Sequence, residues 1–143
     1  MKSLFGEEIK DPGKVFTASE FIQPFKKAEI PTTSEDLLAS VAIVICVYNR
    51  PDVTRPCLRS FHDRTSKKVR FVIVDDASDS YTANMLASEA ERMQKDGRQV
   101  TIKTNKVNCK YTHSVNNGIV EAFRDTTVGW AVTINSDTLA TPG

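Results

Sequence analysis

Polar side chains suited to ligand binding follow each of four apolar runs in the sequence. In chain order they are Tyr48 and Asn49, Asp75 and Asp76, Asn105, and Asn135 and Asp137. Carboxylates gathered at one place repel each other unless a cation or hydrogen-bond donors compensate their charge. A hard divalent cation with oxygen ligands is the natural compensation, and such a cation also bridges to phosphates. The pattern therefore favours a phosphate-containing ligand held together with a metal ion.

Each of these residues also has an ordinary structural interpretation. Asp75, Asp76 or Ser78 would serve as a helix cap, and Asn is common in turns. The sequence contains neither the dinucleotide-binding pattern GxGxxG nor the P-loop pattern GxxxxGK[ST]. A nucleotide bound by this chain is therefore not held as it is in a dehydrogenase or a P-loop ATPase.

The four apolar runs predict the strands that position these side chains. The first run, VAIVICV at 41–47, has no polar/apolar alternation, which is typical of a buried central strand in a parallel sheet. Runs at 71–74, 100–104 and 128–134 follow, separated by stretches with apolar residues at helical spacing. The order predicts an α/β fold, a doubly wound and mostly parallel sheet with helices on both faces. Ligands of such sheets bind beyond the carboxyl ends of the strands, where these polar residues would meet.

Four local expectations follow from the same patterns. Pro56 is expected in the first turn of its helix, where a missing backbone N–H costs nothing. The third helix has its apolar stripe within 115–123, and Trp130 is expected in the core or against a helix. Thr33 or Ser34 is expected to cap a short helix before the first strand.

Length and composition fit one domain at 41–143 preceded by an N-terminal extension at 1–40. The net charge of +1 gives no electrostatic case for binding nucleic acid or a membrane surface. Three cysteines without CxxC spacing argue against a disulfide framework or a zinc site. No stretch suits a signal peptide or a membrane helix, so a cytoplasmic protein is expected.

Four motifs together resemble a known family. VAIVICVYNRP, FVIVDDAS, NKVNCKYTHSVNNGI and TINSDTLATPG occur in the order and spacing of family 2 glycosyltransferases of the GT-A fold. The resemblance covers roughly residues 41–143. It implies transfer of a sugar, with inversion, from a nucleotide-diphosphate sugar, UDP- or dTDP-linked, to an unknown acceptor.

The resemblance also implies roles for individual residues. The end of the first strand would contact the base, the acidic pair would hydrogen-bond uracil or thymine and the ribose, and the loop at 105–116 would wrap the nucleotide. The tripeptide Asn135-Ser136-Asp137 lies at the DxD position, where the last carboxylate would hold Mn²⁺ or Mg²⁺ on the diphosphate and Asn135 would be a weaker ligand. The implied nucleotide-binding residues are Cys46, Tyr48, Asn49, Asp75, Asp76, Asn105 and Asn116.

The sequence departs from the family pattern at three places. Asn135 replaces the first Asp of DxD, and Lys110 and His113 stand where the family usually has glycine and another small residue. The sequence ends at Gly143, before the region where relatives carry the acceptor site and the catalytic base. The resemblance thus implies a truncated domain without its acceptor half and with unknown catalytic residues, either the donor-binding half of a longer enzyme or a naturally short relative. A homo-oligomer or a partner chain would cover the missing half.

Two other interpretations remain open. One is a non-catalytic GT-A-like module that binds a nucleotide weakly or not at all and acts through a partner, which Asn135 and the missing half favour. The other is a sugar-phosphate nucleotidyltransferase, which uses a related α/β fold. The absence of a glycine-rich loop after the first strand speaks against the second.

Overall fold

The computed structural model describes residues 33–142, so expectations for 1–32 and for Gly143 lie outside the described part of the chain. Four helices alternate with four strands along that part. None of these helices is long and apolar enough to cross a membrane. The elements are α1 (Ser34–Ala39), β1 (Val41–Val47), α2 (Pro51–Arg64), β2 (Arg70–Asp75), α3 (Ser80–Lys95), β3 (Val100–Thr104), α4 (Lys110–Ala122) and β4 (Trp130–Asn135).

The four strands form one parallel sheet in the order β3-β2-β1-β4. β1 has a neighbour on each side, and Val44 pairs with Val72 of β2 and Thr133 of β4. Because every strand runs in the same direction, all four carboxyl ends lie at one edge. The predicted parallel α/β sheet is confirmed.

Both faces of β1 are buried, which explains its unbroken apolar sequence. On one face, Ile43 and Ile45 pack in a core with α2 and α3, whose contributions include Leu58 and Leu86. On the other, Ala42 and Val44 belong to a second core that includes Ala122 of α4. Full burial of a large apolar side chain contributes about 1.5–3 kcal/mol to the free energy of unfolding. Because β1 belongs to both cores, it makes this contribution on both faces of the sheet.

The helix ends confirm one local expectation and correct another. Thr33 caps α1, its hydroxyl accepting a hydrogen bond from the Asp36 backbone N–H at 3.0 Å. Pro56 lies inside α2 rather than in its first turn, because the left-handed Arg50 (φ 57°) starts this helix at Pro51. Pro56 is exposed, so water can reach the carbonyl that its missing N–H leaves unpaired.

The expectation for Trp130 is wrong. β4 begins at Trp130, and this side chain is 59% exposed. β4 is an edge strand, and the core formed with α2 and α3 reaches it only at Ile134. Trp130 and Val132 therefore remain at the surface of the described residues.

Gly118 sets the distance between α4 and the sheet. A Cβ at this position would lie 2.4 Å from the Val44 Cγ1 and 2.9 Å from the Val74 Cγ2. Neither methyl can move freely, because Val44 and Val74 are themselves fully buried. At Gly118 the backbone of α4 therefore packs directly against the strands, whereas any other residue would place a side chain between them.

We predict that Gly118→Ala destabilises the protein by about 1–3 kcal/mol, the usual cost of overpacking a core. Urea denaturation followed by circular dichroism measures the change. Asn116→Ala is the matched control, because Asn116 is exposed on the same helix. An unchanged midpoint for Gly118→Ala would contradict the close approach.

Arg98 ties the end of α2 to the segment that leads into β2. Its side chain is 3% exposed, and its guanidinium donates to the carbonyls of His62, Thr65, Ser66 and Val69. Its Nε also donates to the His62 Nδ1 at 3.2 Å. This last bond requires an unprotonated Nδ1, so it favours neutral His62.

Burial lowers the pKa of His62, and the charges of Arg92 and Arg98 lower it further against the opposing effect of Asp96 and Asp63. A histidine whose pKa falls on folding contributes stability above its usual pKa of about 6.5, and this contribution is lost as the pH falls below that value.

We therefore predict that the free energy of unfolding decreases between pH 7.5 and 5.5, and that His62→Gln reduces this slope. Glutamine keeps an acceptor but does not titrate. Denaturant titrations at the two pH values test this, with His113→Gln at an exposed position as the control. Equal slopes in the wild type and His62→Gln would contradict the assignment.

Candidate functional site

A cavity of about 280 Å³ opens at the carboxyl edge of the sheet. The end of β1, the residue after β2 and the beginning of α4 form its walls. The lining residues are Cys46, Val47, Tyr48, Asp76, Asn108, Lys110, Tyr111 and Ser114. Of the residues expected to bind nucleotide, the fold thus brings Cys46, Tyr48 and Asp76 into one cavity.

Asp76 is the best-defined polar group of this cavity. It is 4% exposed, and its Oδ1 accepts hydrogen bonds from the Asn105 Nδ2 and the Cys109 backbone N–H, each at 2.8 Å. Burial alone would raise the pKa of Asp76, but these hydrogen bonds outweigh it and hold the pKa below its usual value. Asp76 is therefore a fixed carboxylate ion at neutral pH.

Asn105 positions Asp76 from behind the cavity wall. Its Nδ2 also donates to the Ser114 hydroxyl at 3.0 Å, and its Oδ1 accepts from the Asn117 Nδ2 at 3.2 Å. Asn105 is buried and does not line the cavity. This network joins the end of β3, the segment after β2 and two successive turns of α4.

Asp75 and Asn49 hold the neighbouring loops instead of lining the cavity. The Asp75 Oδ1 accepts from the Ser78 backbone N–H at 2.9 Å, which shapes the turn before α3. The Asn49 N–H donates to the Ser78 hydroxyl, and the Asn49 Oδ1 accepts from the Asp79 N–H, both at 2.9 Å. The β1–α2 and β2–α3 loops are thus bonded to each other, and nucleotide contacts by Asp75 and Asn49 remain predictions.

The segment 105–116, expected to wrap the nucleotide as a loop, is a loop only as far as Cys109. α4 begins at Lys110, so Asn116 lies on a helix, exposed and outside the cavity wall. The expected apolar stripe started only at 115, and the polar first turn of α4 gave no hydrophobic signal. Lys110 lines the cavity, whereas His113 is exposed outside it.

The two DxD-like residues are Asn135, the last residue of β4, and Asp137 beyond it, and both are exposed outside the cavity wall. The Asn135 Oδ1 accepts a hydrogen bond from the Tyr111 hydroxyl at 3.0 Å, which links α4 to the end of β4. The pKa of Arg50 is raised mainly by Asp52 and to a smaller extent by Asp137, so Asp137 is close enough to the β1–α2 loop to act on it electrostatically.

Asn135 and Asp137 would be an incomplete metal centre by themselves. Within 33–142, no group of three or more His, Cys, Asp or Glu side chains could hold a metal ion. One carboxylate and one amide oxygen suit Mg²⁺ or Mn²⁺ only where phosphates and water supply the remaining ligands. The donor set therefore fits a metal ion that arrives with a diphosphate.

Cys46 lies at the cavity wall as a neutral thiol. Burial raises its pKa to about 11, with a smaller contribution from the charge of Asp76. A thiol with this pKa is not a nucleophile at neutral pH. Cys46 thus contributes shape to the cavity and no covalent chemistry.

Sequence patterns did not single out four residues around this site, although three of them lie in the segment 105–116 that was expected to wrap the nucleotide. Asn108, Tyr111 and Ser114 line the cavity, and Asn117 supports Asn105. Ser114 and Asn117 are three residues apart, the spacing that places side chains on one helix face. That spacing was the available signal, but it depended on knowing where α4 begins.

Comparisons with known proteins agree on family and fold. The model of the family described as glycosyl transferase family 2 matches residues 42–143, well over half of the chain. A search of curated proteins found no match.

Two solved structures illustrate the likeness in fold. The mannosyltransferase PcManGT from Pyrobaculum calidifontis, in complex with GDP-Man and Mn²⁺, has a TM-score of 0.61 and 21% identity over 72% of this chain and 29% of that chain. Residues 1–349 of TarS from S. aureus give a TM-score of 0.53 and 15% identity over 68% and 27%. The chain therefore spans less than a third of either structure, and the expected GT-A fold is confirmed.

We predict that Asn105→Asp destabilises the protein by about 1–3 kcal/mol at pH 7, because an oxygen then faces the Asp76 carboxylate in place of a donor. The like charges raise the pKa of the new carboxyl group, so lowering the pH to 5 restores part of the loss. Urea denaturation at the two pH values measures both effects.

Asn116→Asp is the matched control, since it adds the same charge at an exposed position of α4. An equal effect of the two substitutions, or a loss for Asn105→Asp that does not depend on pH, would contradict the network around Asp76.

Proposed function

The chain belongs to glycosyl transferase family 2, and on this premise we propose that it binds the sugar donor of an inverting glycosyltransferase. The proposed donor is a nucleotide-diphosphate sugar, UDP- or dTDP-linked, and the acceptor is unknown. The single observation that carries the proposal is the cavity at the carboxyl edge, where Asp76 is held ionised beside Tyr48.

Base recognition is assigned to Asp76 and Tyr48. Uracil, thymine and guanine in nucleotides each carry a ring N–H that can donate a hydrogen bond to a fixed carboxylate, whereas cytosine has no ring N–H. Tyr48 is half exposed at the same wall, so its ring is available for stacking on a base. The PcManGT complex contains GDP-Man, so guanine nucleotides belong in any test beside those of uracil and thymine.

The diphosphate is assigned to the side of the cavity that Tyr111 connects to Asn135. Asp137, two residues further on, would hold Mn²⁺ or Mg²⁺ with Asn135 as a weaker ligand, and the PcManGT complex contains Mn²⁺. Bound there, the cation would neutralise charge that develops on the leaving diphosphate. Asp137 itself supplies one full negative charge for the cation, and Asn135 supplies only a dipole.

Sugar transfer by inversion also needs a base that deprotonates the acceptor hydroxyl. We assign that role to none of the residues 33–142, so transfer is proposed for the whole protein and donor binding for this part. Cytoplasmic location remains part of the proposal. The free thiols Cys46, Cys57 and Cys109 suit a reducing compartment.

One observation favours the alternative of a partner-dependent, non-catalytic module. The exposed Trp130 and Val132 form an apolar strip on the edge strand β4. Such strips are typical of interaction surfaces, and a second copy or a partner chain would cover it. The module predicts association in size-exclusion chromatography and no effect of a metal ion on nucleotide binding.

We predict that UDP or dTDP with Mn²⁺ raises the melting temperature of the chain, because a ligand that binds only the folded state stabilises it by mass action. At a ligand concentration 100 times Kd, the gain is about 2.7 kcal/mol. Asp137→Ala should abolish the part of the shift that requires Mn²⁺ and leave the metal-free part. Differential scanning fluorimetry with and without EDTA measures both.

Asp63→Ala is the control, because Asp63 is exposed on α2 away from the cavity wall. If none of UDP, dTDP, GDP and CDP shifts the melting temperature, the proposed function is wrong. A shift of the melting temperature that does not depend on Mn²⁺ would support donor binding and contradict the metal site at Asp137.

A further inference from the structure

Lys110 is a cation at the cavity wall that no other side chain of residues 33–142 neutralises. It lines the cavity beside Tyr111. Its backbone N–H donates to the Asn108 Oδ1 at 3.0 Å, and its ammonium group has no ion-pair partner within 33–142. Tyr111, which lines the same cavity, is bonded to Asn135, so the wall that includes Lys110 extends to the residue pair assigned to the metal ion.

The charges around the cavity favour a second cation beside the metal ion. A nucleoside diphosphate brings at least two negative charges, and Asp76 and Asp137 add two more. Arg50 is engaged mainly by Asp52, because its Nε and Nη2 are each 3.0 Å from a carboxylate oxygen of that residue, and its interaction with Asp137 is the weaker one. One divalent ion at Asp137 leaves part of this negative charge unbalanced.

We propose that Lys110 is a diphosphate-binding residue, whose ammonium group donates to phosphate oxygens and shares the charge compensation with the metal ion. This inference rests on the proposed function and assigns a specific contact within it. It predicts that a substantial part of donor affinity persists without a metal ion. Lysine binds phosphate as a point charge, so the contact needs little directional geometry.

The backbone at Lys110 provides an independent measurement. Its φ of 68° lies in the left-handed region, where a side chain is strained and glycine is not. Lys110→Gly removes the charge and the strain together, whereas Lys110→Met removes the charge and keeps the strain. The two variants thus separate ligand binding from folding.

The experiment compares wild type, Lys110→Met, Lys110→Gly, Lys110→Arg and the control Lys106→Ala, all in the full chain. Lys106 is an exposed lysine of the same connection that does not line the cavity. Isothermal titration in EDTA measures binding of UDP, dTDP and GDP and of the corresponding nucleosides. Thermal denaturation without ligand measures stability.

We expect Lys110→Met and Lys110→Gly each to weaken diphosphate binding about tenfold. This factor corresponds to the loss of one hydrogen bond to a charged group. Nucleoside binding should be unchanged in both variants. Lys110→Arg and Lys106→Ala should bind the diphosphates and the nucleosides as the wild type does. Lys110→Gly should melt at a higher temperature than Lys110→Met.

Two results overturn the inference in distinguishable ways. If wild type binds a diphosphate and Lys110→Met binds it equally well, or loses nucleoside binding in equal proportion, Lys110 does not contact phosphate and the proposed function stands. If wild type binds none of the diphosphates with or without Mn²⁺, the proposed function fails and the inference with it.

Discussion

The arrangement of the candidate site depends on one buried negative charge. Asp76 is almost fully removed from water, so its carboxylate remains ionised only because protein donors replace the lost hydration. Asn105 and the Cys109 backbone supply those donors, and they belong to the segment between β3 and α4. The requirement to solvate one carboxylate therefore fixes where β3 ends and how α4 starts. The cavity wall follows from those two positions.

The sheet supplies the rigidity that this arrangement needs. β1 is paired on both sides and buried on both faces, so its end at Val47 is fixed by hydrogen bonds and by two hydrophobic cores. The Asp76 backbone N–H donates to the Val47 carbonyl at 2.8 Å, which transmits that position to the carboxylate. Gly118 then brings α4 against the same strands at close range. A polar site on loops is thus positioned by apolar packing beneath it.

The sequence predicted the strands well because β1 and β2 are short apolar runs that can be stable only when buried on both faces. The sequence could not show that Asp76 lines the cavity while Asp75 holds the turn before α3. The two residues are identical and adjacent, and only the packing around them distinguishes their roles. Lys110 and Tyr111 were placed in a loop because the first turn of α4 is polar and has no periodic apolar stripe. Trp130 was expected in the core because its strand was apolar, and no sequence pattern shows which strand lies at an edge. The errors for Asp75, Asp76 and Trp130 thus share one cause, since they concern long-range neighbours, whereas the error at the start of α4 reflects a helix turn without apolar residues.

The bonds between Asn49, Ser78 and Asp79 make the two loops above the sheet into one cooperative unit. Opening either loop breaks both hydrogen bonds, so the backbone amides of Asn49 and Asp79 share a single free energy of local unfolding. In hydrogen exchange they would then open together, as one subglobal unit and not as two fraying loops. Loops that bind ligands usually come from the least stable part of a fold. In this chain the β1–α2 and β2–α3 loops are joined to each other, which reduces the conformational entropy that either loop retains.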